Sequence, residues 1–196
     1  MSVQIALGCL ISYFLGSIPF SFIIARAVKG VDLRKTGEGN VGARNVFHVV
    51  GRKYGILAGL LDFAKGAGAF GVGILLGLNP MWIWLCGLFV VLGHVFPLFL
   101  KGRGGKGVAC AFGFLLGMEP FAVLISGAGI FLVYFLFQNF HLALGIGMAS
   151  VPFLWKFFAR RSWEETLICI SFFLVLGLKR LLDEPHMKKV RESSGW

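Results

Sequence analysis

The chain has 196 residues, of which 57% are hydrophobic and only 14% are charged, and its mean hydropathy is +0.83. Since soluble domains carry about 25% charged residues, this composition excludes a soluble globular protein and predicts an all-α integral membrane protein. The net charge is +10. Because the basic residues lie beside apolar segments, they favour anionic lipid headgroups and anionic substrates as partners over nucleic acid.

Apolar segments predict seven membrane spans within a single domain that covers residues 1–196. A span needs about 20 apolar residues, and the fourth segment is short. It could therefore join the fifth as one bent element, which leaves five or six spans as an alternative. A cleaved signal peptide is not expected, because the first apolar segment is too long for one and no basic residues precede it. The predicted spans are 3–27, 54–78, 82–100, 107–117, 120–137, 141–158 and 163–181.

The positive charges beside these spans predict the orientation in the membrane. With seven spans and the N-terminus outside, most lysine and arginine residues fall on the cytoplasmic side, and the outer side receives Lys156, Arg160 and Arg161. Two glycine-rich loops and the C-terminal tail then face the cytoplasm.

The first glycine-rich loop reads Gly-Glu-Gly-Asn-Val-Gly-Ala-Arg-Asn over residues 37–45. Three glycines within six positions indicate a folded backbone whose amide groups can form a nest for phosphate. Asn40 and Asn45 can donate and accept hydrogen bonds and tolerate tight turns. A plain reverse turn between helices is the alternative for this loop.

The second loop reads Lys-Gly-Arg-Gly-Gly-Lys-Gly over residues 101–107 and precedes a run of small residues. A glycine turn that opens a helix directs free amide groups and the positive end of the helix dipole at an anion. Lys106 falls at the predicted helix start, where a lysine is electrostatically unfavourable unless an anion binds there. The loop lacks the spacing of a Walker A motif, and so it predicts a phosphate site of another kind.

Ionisable residues inside predicted spans are costly and tend to be functional. Asp62 and Lys65 are three residues apart on one helical face, and we predict an ion pair between them. His94 fits either a buried structural histidine or an active-site donor, and His141 fits a helix cap. The four cysteines lie in apolar segments without metal-ligand spacing. We therefore expect no metal, no disulfide and no cofactor.

Taken together, these segments resemble the bacterial acyl-phosphate:glycerol-3-phosphate acyltransferase family, the PlsY family, over nearly the whole chain. The stretches that carry the resemblance are Leu15-Gly16-Ser17-Ile18-Pro19, Gly39-Asn40-x-Gly42-Ala43-x-Asn45-Val46, Asp62-Phe63-x-Lys65-Gly66, His94-x-Phe96-Pro97-x-Phe99 and Gly104-Gly105-Lys106-Gly107-Val108-Ala109.

The resemblance implies a seven-span bundle in the bacterial inner membrane, with its active site on the cytoplasmic side. It implies transfer of a fatty acyl group from acyl phosphate to the 1-hydroxyl of glycerol 3-phosphate, without an acyl-CoA or acyl-carrier-protein donor. The products are lysophosphatidic acid and phosphate, for phospholipid synthesis. The implied partners are both substrates, membrane lipids and the soluble enzyme that makes acyl phosphate.

Several positions depart from the family's usual residues. Glu38 stands where the family has serine, Arg44 where it has threonine, and His48 where it has arginine. His141 replaces a frequent serine. The third motif matches least well: Lys179-Arg180 align with an Arg-His pair, Asp183 with an asparagine and Glu192 with a glutamate.

Polar side chains are the candidates for catalysis, and glycines and basic residues are the candidates for holding phosphate. The candidate catalytic residues are Glu38, Asn45, His48 and His94. The candidate substrate-binding residues are Gly37, Gly39, Asn40, Gly42, Ala43, Arg103, Gly104, Gly105, Lys106, Gly107, Arg180 and Asp183. Two other functions stay open. The altered motif positions favour a non-catalytic relative that binds acyl phosphate or phospholipid, whereas the apolar outer half disfavours a small-anion transporter.

Overall fold

A computed structural model describes residues 2–195, and over these residues the chain is all-helical and contains no strand. The helices are α1 Ser2–Ser17, α2 Phe20–Lys29, α3 Ala43–Val49, α4 Arg52–Leu75, α5 Pro80–Val95, α6 Val108–Met118, α7 Pro120–Phe137, α8 Phe140–Phe157 and α9 Trp163–Ser194, with a short 3-10 helix at Leu98–Leu100.

Each predicted span falls on helical structure, and five segments among residues 2–195 are long and apolar enough to cross a membrane: Ser2–Lys29, Arg52–Leu75, Pro80–Leu100, Pro120–Phe137 and Phe140–Phe157. The fourth predicted span corresponds to α6, which has only 11 residues. It does not merge with α7, because the backbone of Glu119 leaves the helical region at φ −152° and ψ 85°. The seventh corresponds to α9, which extends 13 residues beyond the predicted end at residue 181.

The first predicted span is divided in two at Pro19. Proline lacks an amide hydrogen and disfavours a helical conformation at the residue before it, so α1 ends at Ser17 and α2 begins at Phe20. The Nζ of Lys65 in α4 donates to the carbonyl oxygens of Gly16 at 2.9 Å and Ile18 at 3.0 Å. A buried lysine therefore satisfies two carbonyl groups at the break.

Aromatic side chains tie the C-terminal helices to the centre of the bundle. The ring centroid of Trp84 in α5 lies 5.7 Å from that of Phe114 in α6, and 5.5 Å from those of Trp155 in α8 and Phe172 in α9. The rings of Phe114 and Phe172 are stacked. These four side chains are almost completely buried, and edge-to-face or offset contacts of this kind add about 0.5–1.5 kcal/mol per pair beyond area burial.

Helices α4 and α6 approach so closely that a glycine is required at their contact. A methyl group at Gly66 would overlap the carbonyl oxygen of Cys110, whereas nothing lies within 4 Å of a methyl group at Gly71 on the same helix. We expect Gly66→Ala to lower the free energy of unfolding by about 1–3 kcal/mol through overpacking. Gly71→Ala is the matched control and should be neutral or slightly stabilising, because alanine has the better helix propensity. Thermal unfolding in detergent measures both, and equal melting temperatures would contradict the close approach.

Candidate active site

The side chain of Asn45 organises the first glycine-rich loop. Its Oδ1 accepts a hydrogen bond from the backbone amide of Glu38 at 3.0 Å. Its Nδ2 donates to the carbonyl oxygens of Leu33 at 3.1 Å, Thr36 at 2.9 Å and Asn40 at 2.9 Å. Since Asn45 is completely buried, its amide group is committed to shaping the loop.

The second loop is fastened to the C-terminal end of α5. The amide of Gly104 donates to the carbonyl oxygen of Val95 at 3.1 Å, and that of Gly105 donates to the carbonyl oxygen of His94 at 3.2 Å. A side chain at Gly105 would overlap the imidazole of His94. The expectation that these two amides are free to bind an anion is therefore wrong, because they hold the loop against α5.

The central cavity lies between the two loops and has a volume of about 390 Å³. One end is polar, with Glu38, Arg44, Lys106 and Arg180 in its wall. The other end is apolar, and its residues come from α4, α6, α7 and α8: Phe63, Val108, Ala109, Phe112, Ile130, Phe140 and Leu144. A ligand with an anionic head and a hydrocarbon chain fits such a cavity.

A polar cavity of about 260 Å³ adjoins the charged end of the central cavity. It is lined by four cationic side chains and two carboxylates, namely Arg44, Lys106, Arg180, Arg191, Glu38 and Glu184, together with His141 and Met187. Four cations and two carboxylates give the lining of this cavity a net charge of +2. This balance suits a phosphate monoester, which carries a charge of about −1.5 to −2 at pH 7.

An acid–base cluster lies in the wall of the central cavity on α4 and α5. Asp62 Oδ1 is 3.0 Å from Lys65 Nζ and 3.5 Å from His94 Nδ1. The hydroxyl of Ser21 donates to Asp62 Oδ2 at 3.3 Å. The predicted ion pair between Asp62 and Lys65 is confirmed, and Asp62 and His94 both line the central cavity.

Lys106 lies two residues before the first residue of α6, with Gly107 as the N-cap at φ +81°. Its placement at a helix start is therefore confirmed. Partial burial lowers the pKa of the Lys106 ammonium, and Arg180 and Arg44 lower it further, while Glu38 opposes them. A bound anion would stabilise this ammonium, because the anion offsets the repulsion from neighbouring cations and from the positive end of the helix.

Comparison with known proteins identifies the chain. The family model described as "Glycerol-3-phosphate acyltransferase" matches residues 6–184. The chain belongs to the glycerol-3-phosphate acyltransferase family. A relative named glycerol-3-phosphate acyltransferase 1 from Dehalococcoides mccartyi is 39% identical over 95% of this chain and 91% of the relative. One from Geobacter sulfurreducens is 40% identical over 94% of this chain and 92% of the relative.

Solved structures of the family share the fold. The crystal structure of PlsY (YgiH), an integral membrane glycerol 3-phosphate acyltransferase, in its glycerol 3-phosphate form has a TM-score of 0.83 and 32% identity, covering 95% of this chain and 93% of that chain. Its lysophosphatidic acid form has a TM-score of 0.81 and 31% identity over the same shares. The chain is thus an all-helical, multi-pass integral membrane acyltransferase.

The fold brings many of the residues predicted for this family onto the central cavity and leaves others outside it. Those that line it are Glu38, Asn40, Gly42, Ala43, His94, Lys106, Gly107 and Arg180. Asn45 supports the loop from behind, and Gly37 lies against Asn45 and Val49. His48 is exposed on α3 and lines none of the cavities described here.

A third, flanking cavity of about 320 Å³ is lined by four more of the predicted residues: Gly39, Arg103, Gly104 and Asp183. Gly105 lines none of these three cavities and lies against the imidazole of His94. Arg103 and Lys106 are only three positions apart, yet they face different cavities. The geometry therefore does not place these two candidate binding residues around one phosphate.

Glu38 and Arg44, which both differ from the family's usual residues, form an ion pair with each other. Arg44 Nη1 lies 2.5 Å from Glu38 Oε1, and the Glu38 side chain is only 6% exposed. Removing one member of a buried pair leaves an uncompensated charge.

We expect Glu38→Ser alone and Arg44→Thr alone each to lower stability more than the double variant, with a coupling free energy on the order of 0.5–3 kcal/mol. Unfolding of the four proteins in detergent measures this cycle. Additive effects would show that the two departures are independent.

The site residues that sequence reasoning missed come from α8 and α9. His141 lines both the central and polar cavities, and its Nδ1 is 3.1 Å from Arg180 Nη1. Its departure from the family's frequent serine was the one available signal. Glu184 and Arg191, which form an ion pair on α9, also line the polar cavity.

Proposed function

We propose that this acyltransferase moves a fatty acyl group from acyl phosphate to the 1-hydroxyl of glycerol 3-phosphate where the central and polar cavities meet. The proposal rests on the fact that the two cavities share part of their walls, which we call the junction. A cavity with an apolar end and a cavity with net positive charge share five lining residues: Glu38, Arg44, Lys106, His141 and Arg180. The solved structures of a relative in glycerol 3-phosphate and lysophosphatidic acid forms support one substrate and the product.

The acyl donor would occupy the central cavity. Its hydrocarbon chain would lie against the apolar side chains of α4, α6, α7 and α8, where burial contributes about 25 cal/mol per Å². Its phosphate would lie at Lys106 and the N-terminus of α6, where positive charge and free amide groups favour an anion. This arrangement places the donor carbonyl at the junction.

Glycerol 3-phosphate would occupy the polar cavity. Arg44, Arg180 and Arg191 offer guanidinium groups that match phosphate oxygens. The size of the cavity, about 260 Å³, suits a small phosphate ester. A substrate phosphate held there directs the glycerol hydroxyl groups toward the junction.

The reaction needs positioning more than a covalent intermediate. The 1-hydroxyl oxygen attacks the acyl carbonyl carbon, forming the ester bond. The bond from that carbon to the phosphate oxygen breaks, and phosphate leaves with the hydroxyl proton. Because acyl phosphate is an activated mixed anhydride, alignment of the two substrates and cationic stabilisation of developing charge supply the acceleration.

A defined assay tests this proposal. Purified protein should convert palmitoyl phosphate and labelled glycerol 3-phosphate to lysophosphatidic acid and phosphate in equal amounts, and should be at least tenfold less active with palmitoyl-CoA. Inactivity with acyl phosphates of several chain lengths, persisting after Glu38→Ser and Arg44→Thr are combined, would overturn the proposal. It would favour a non-catalytic protein that binds the same ligands.

The same proposal includes seven spans in the bacterial inner membrane, the N-terminus outside, and a cytoplasmic site that receives acyl phosphate from the soluble enzyme that makes it. The basic residues of both loops support this orientation. Single cysteines at positions 103 and 160 should react with a membrane-impermeant thiol reagent from opposite sides. In intact cells the cysteine at 160 should be labelled and that at 103 protected, and the reverse pattern would contradict the orientation.

A further inference from the structure

Ile130 lies deep on the apolar side of the central cavity. Within residues 2–195 it is the one α7 side chain that lines this cavity. It stands seven residues before the end of α7 at Phe137, which places it about 10 Å along the helix from that end. Lys106, by contrast, belongs to the second loop at the charged end of the cavity.

The face of α7 that carries Ile130 is covered on one side of this residue and open on the other. Towards the start of the helix, Val123 and Ser126 are buried. Towards its end, Tyr134 and Phe137 continue the same helical face one and two turns later, and both are exposed. Ile130 therefore marks the level at which the bundle closes and the cavity ends.

Helix α8 supports the Ile130 side chain through a glycine. A methyl group at Gly147 would overlap Ile130 Cγ1, so Ile130 occupies the space that a side chain would take at that position. About one turn further from the cavity, the hydroxyl of Ser150 donates to Ser126 Oγ at 2.8 Å. The packing on Gly147 and this hydrogen bond hold α7 and α8 together beneath Ile130.

We propose that Ile130 determines which acyl-chain length the enzyme prefers, because its side chain ends the space into which the chain of the donor extends. This inference rests on the proposed function, which places the hydrocarbon chain in the apolar end of the central cavity. A longer chain must displace the Ile130 side chain, and a shorter chain leaves part of the cavity unfilled. An apolar pocket discriminates one methylene group by about 10- to 200-fold, so one side chain at this position is enough to set a preference.

Shortening this side chain tests the proposal. Ile130→Ala removes Cγ1, Cγ2 and Cδ1, which leaves room for about two further methylene groups. With acyl phosphates from octanoyl to stearoyl, the variant should prefer a chain about two carbon atoms longer than the unchanged protein does, and the ratio of catalytic efficiencies for these two chains should change about tenfold. Leu132→Ala is the control and should keep the original preference, because Leu132 is exposed on the same helix and lines none of the three cavities.

Gly147→Ala should shift the preference in the opposite direction. Its methyl group would displace Ile130 towards the cavity, which is the free space beside it, so shorter chains should be favoured. Gly145→Ala is the control on the same helix, because nothing lies within 4 Å of a methyl group at that position. A general loss of stability would lower efficiency with every chain length alike, so it could not produce opposite shifts.

A binding measurement separates failure of this inference from failure of the proposed reaction. Affinities of lysophosphatidic acids of the same chain lengths for the purified protein, measured by native mass spectrometry, need no catalysis. If the protein transferred no acyl group, the proposed reaction would fall, and the order of these affinities would still decide the role of Ile130. A shift of either variant in its expected direction supports that role. Chain-length orders equal to those of the two controls, in transfer and in binding, would overturn it and show that the chain leaves the cavity before it reaches Ile130.

Discussion

Lys106→Ala is expected to lower catalytic efficiency toward both acyl phosphate and glycerol 3-phosphate by about 10- to 150-fold. Lys106 lines the central and polar cavities alike and lies at the start of α6. A charged hydrogen bond to phosphate contributes about 1.5–3 kcal/mol, and each 1.36 kcal/mol is a tenfold change in rate. Steady-state kinetics with each substrate varied in turn measures the effect.

Lys101→Ala is the matched control for this loss, because Lys101 is exposed and lines none of the three cavities. It should retain nearly full efficiency. If both variants lost activity equally, or if neither did, Lys106 would be only a surface charge.

The pH dependence of the same site follows from the environment of Lys106. Burial, Arg180 and Arg44 lower its pKa, so the ammonium loses its proton at a lower pH than the usual value of about 10.4. Because only the charged form attracts phosphate, efficiency should fall with rising pH through that lowered pKa. Lys106→Arg should remove this limb, since a guanidinium stays charged. An unchanged profile would show that Lys106 does not control it.

Lys65→Met is expected to destabilise the fold by about 3–5 kcal/mol, the usual cost of removing one partner of a buried ion pair. The side chains of Lys65 and Asp62 are 1% and 4% exposed. The variant leaves the Asp62 carboxylate without its lysine, and it leaves the carbonyl groups of Gly16 and Ile18 without a donor at the break between α1 and α2.

Unfolding in detergent tests this prediction, with Lys53→Met as the control because Lys53 is exposed on the same helix. Combining Lys65→Met with Asp62→Asn should cost less than Lys65→Met alone, since no charge is then left unpaired. A melting temperature equal to that of Lys53→Met would show that the pair contributes no stability.

Local chemistry explains what could be predicted without coordinates. Long apolar segments predict helices because no water is available to backbone groups in a bilayer. The i,i+3 spacing predicts that Asp62 meets Lys65, and the glycine turn predicts that Lys106 lies at a helix start. Each of these depends on residues within one or two helical turns of one another.

Other features of the site depend on contacts between residues that are far apart in the sequence. Nothing in the sequence shows that the amides of Gly104 and Gly105 are occupied, but in the structure they donate hydrogen bonds to the C-terminal carbonyl groups of α5. The sequence suggests that His141 caps a helix, whereas in the structure the packing of α8 and α9 places it beside Arg180.

The sequence by itself therefore determined the membrane class, the helices, the two loops and the residue types suited to phosphate. Only the tertiary structure decided which side chains share a cavity. In the folded chain Glu38 pairs with Arg44, and Asn45 holds the first loop by hydrogen bonds. Arg103 and Lys106 line different cavities. The physical reason is that side-chain direction in a glycine-rich loop depends on left-handed backbone conformations and long-range hydrogen bonds, which residue spacing does not encode.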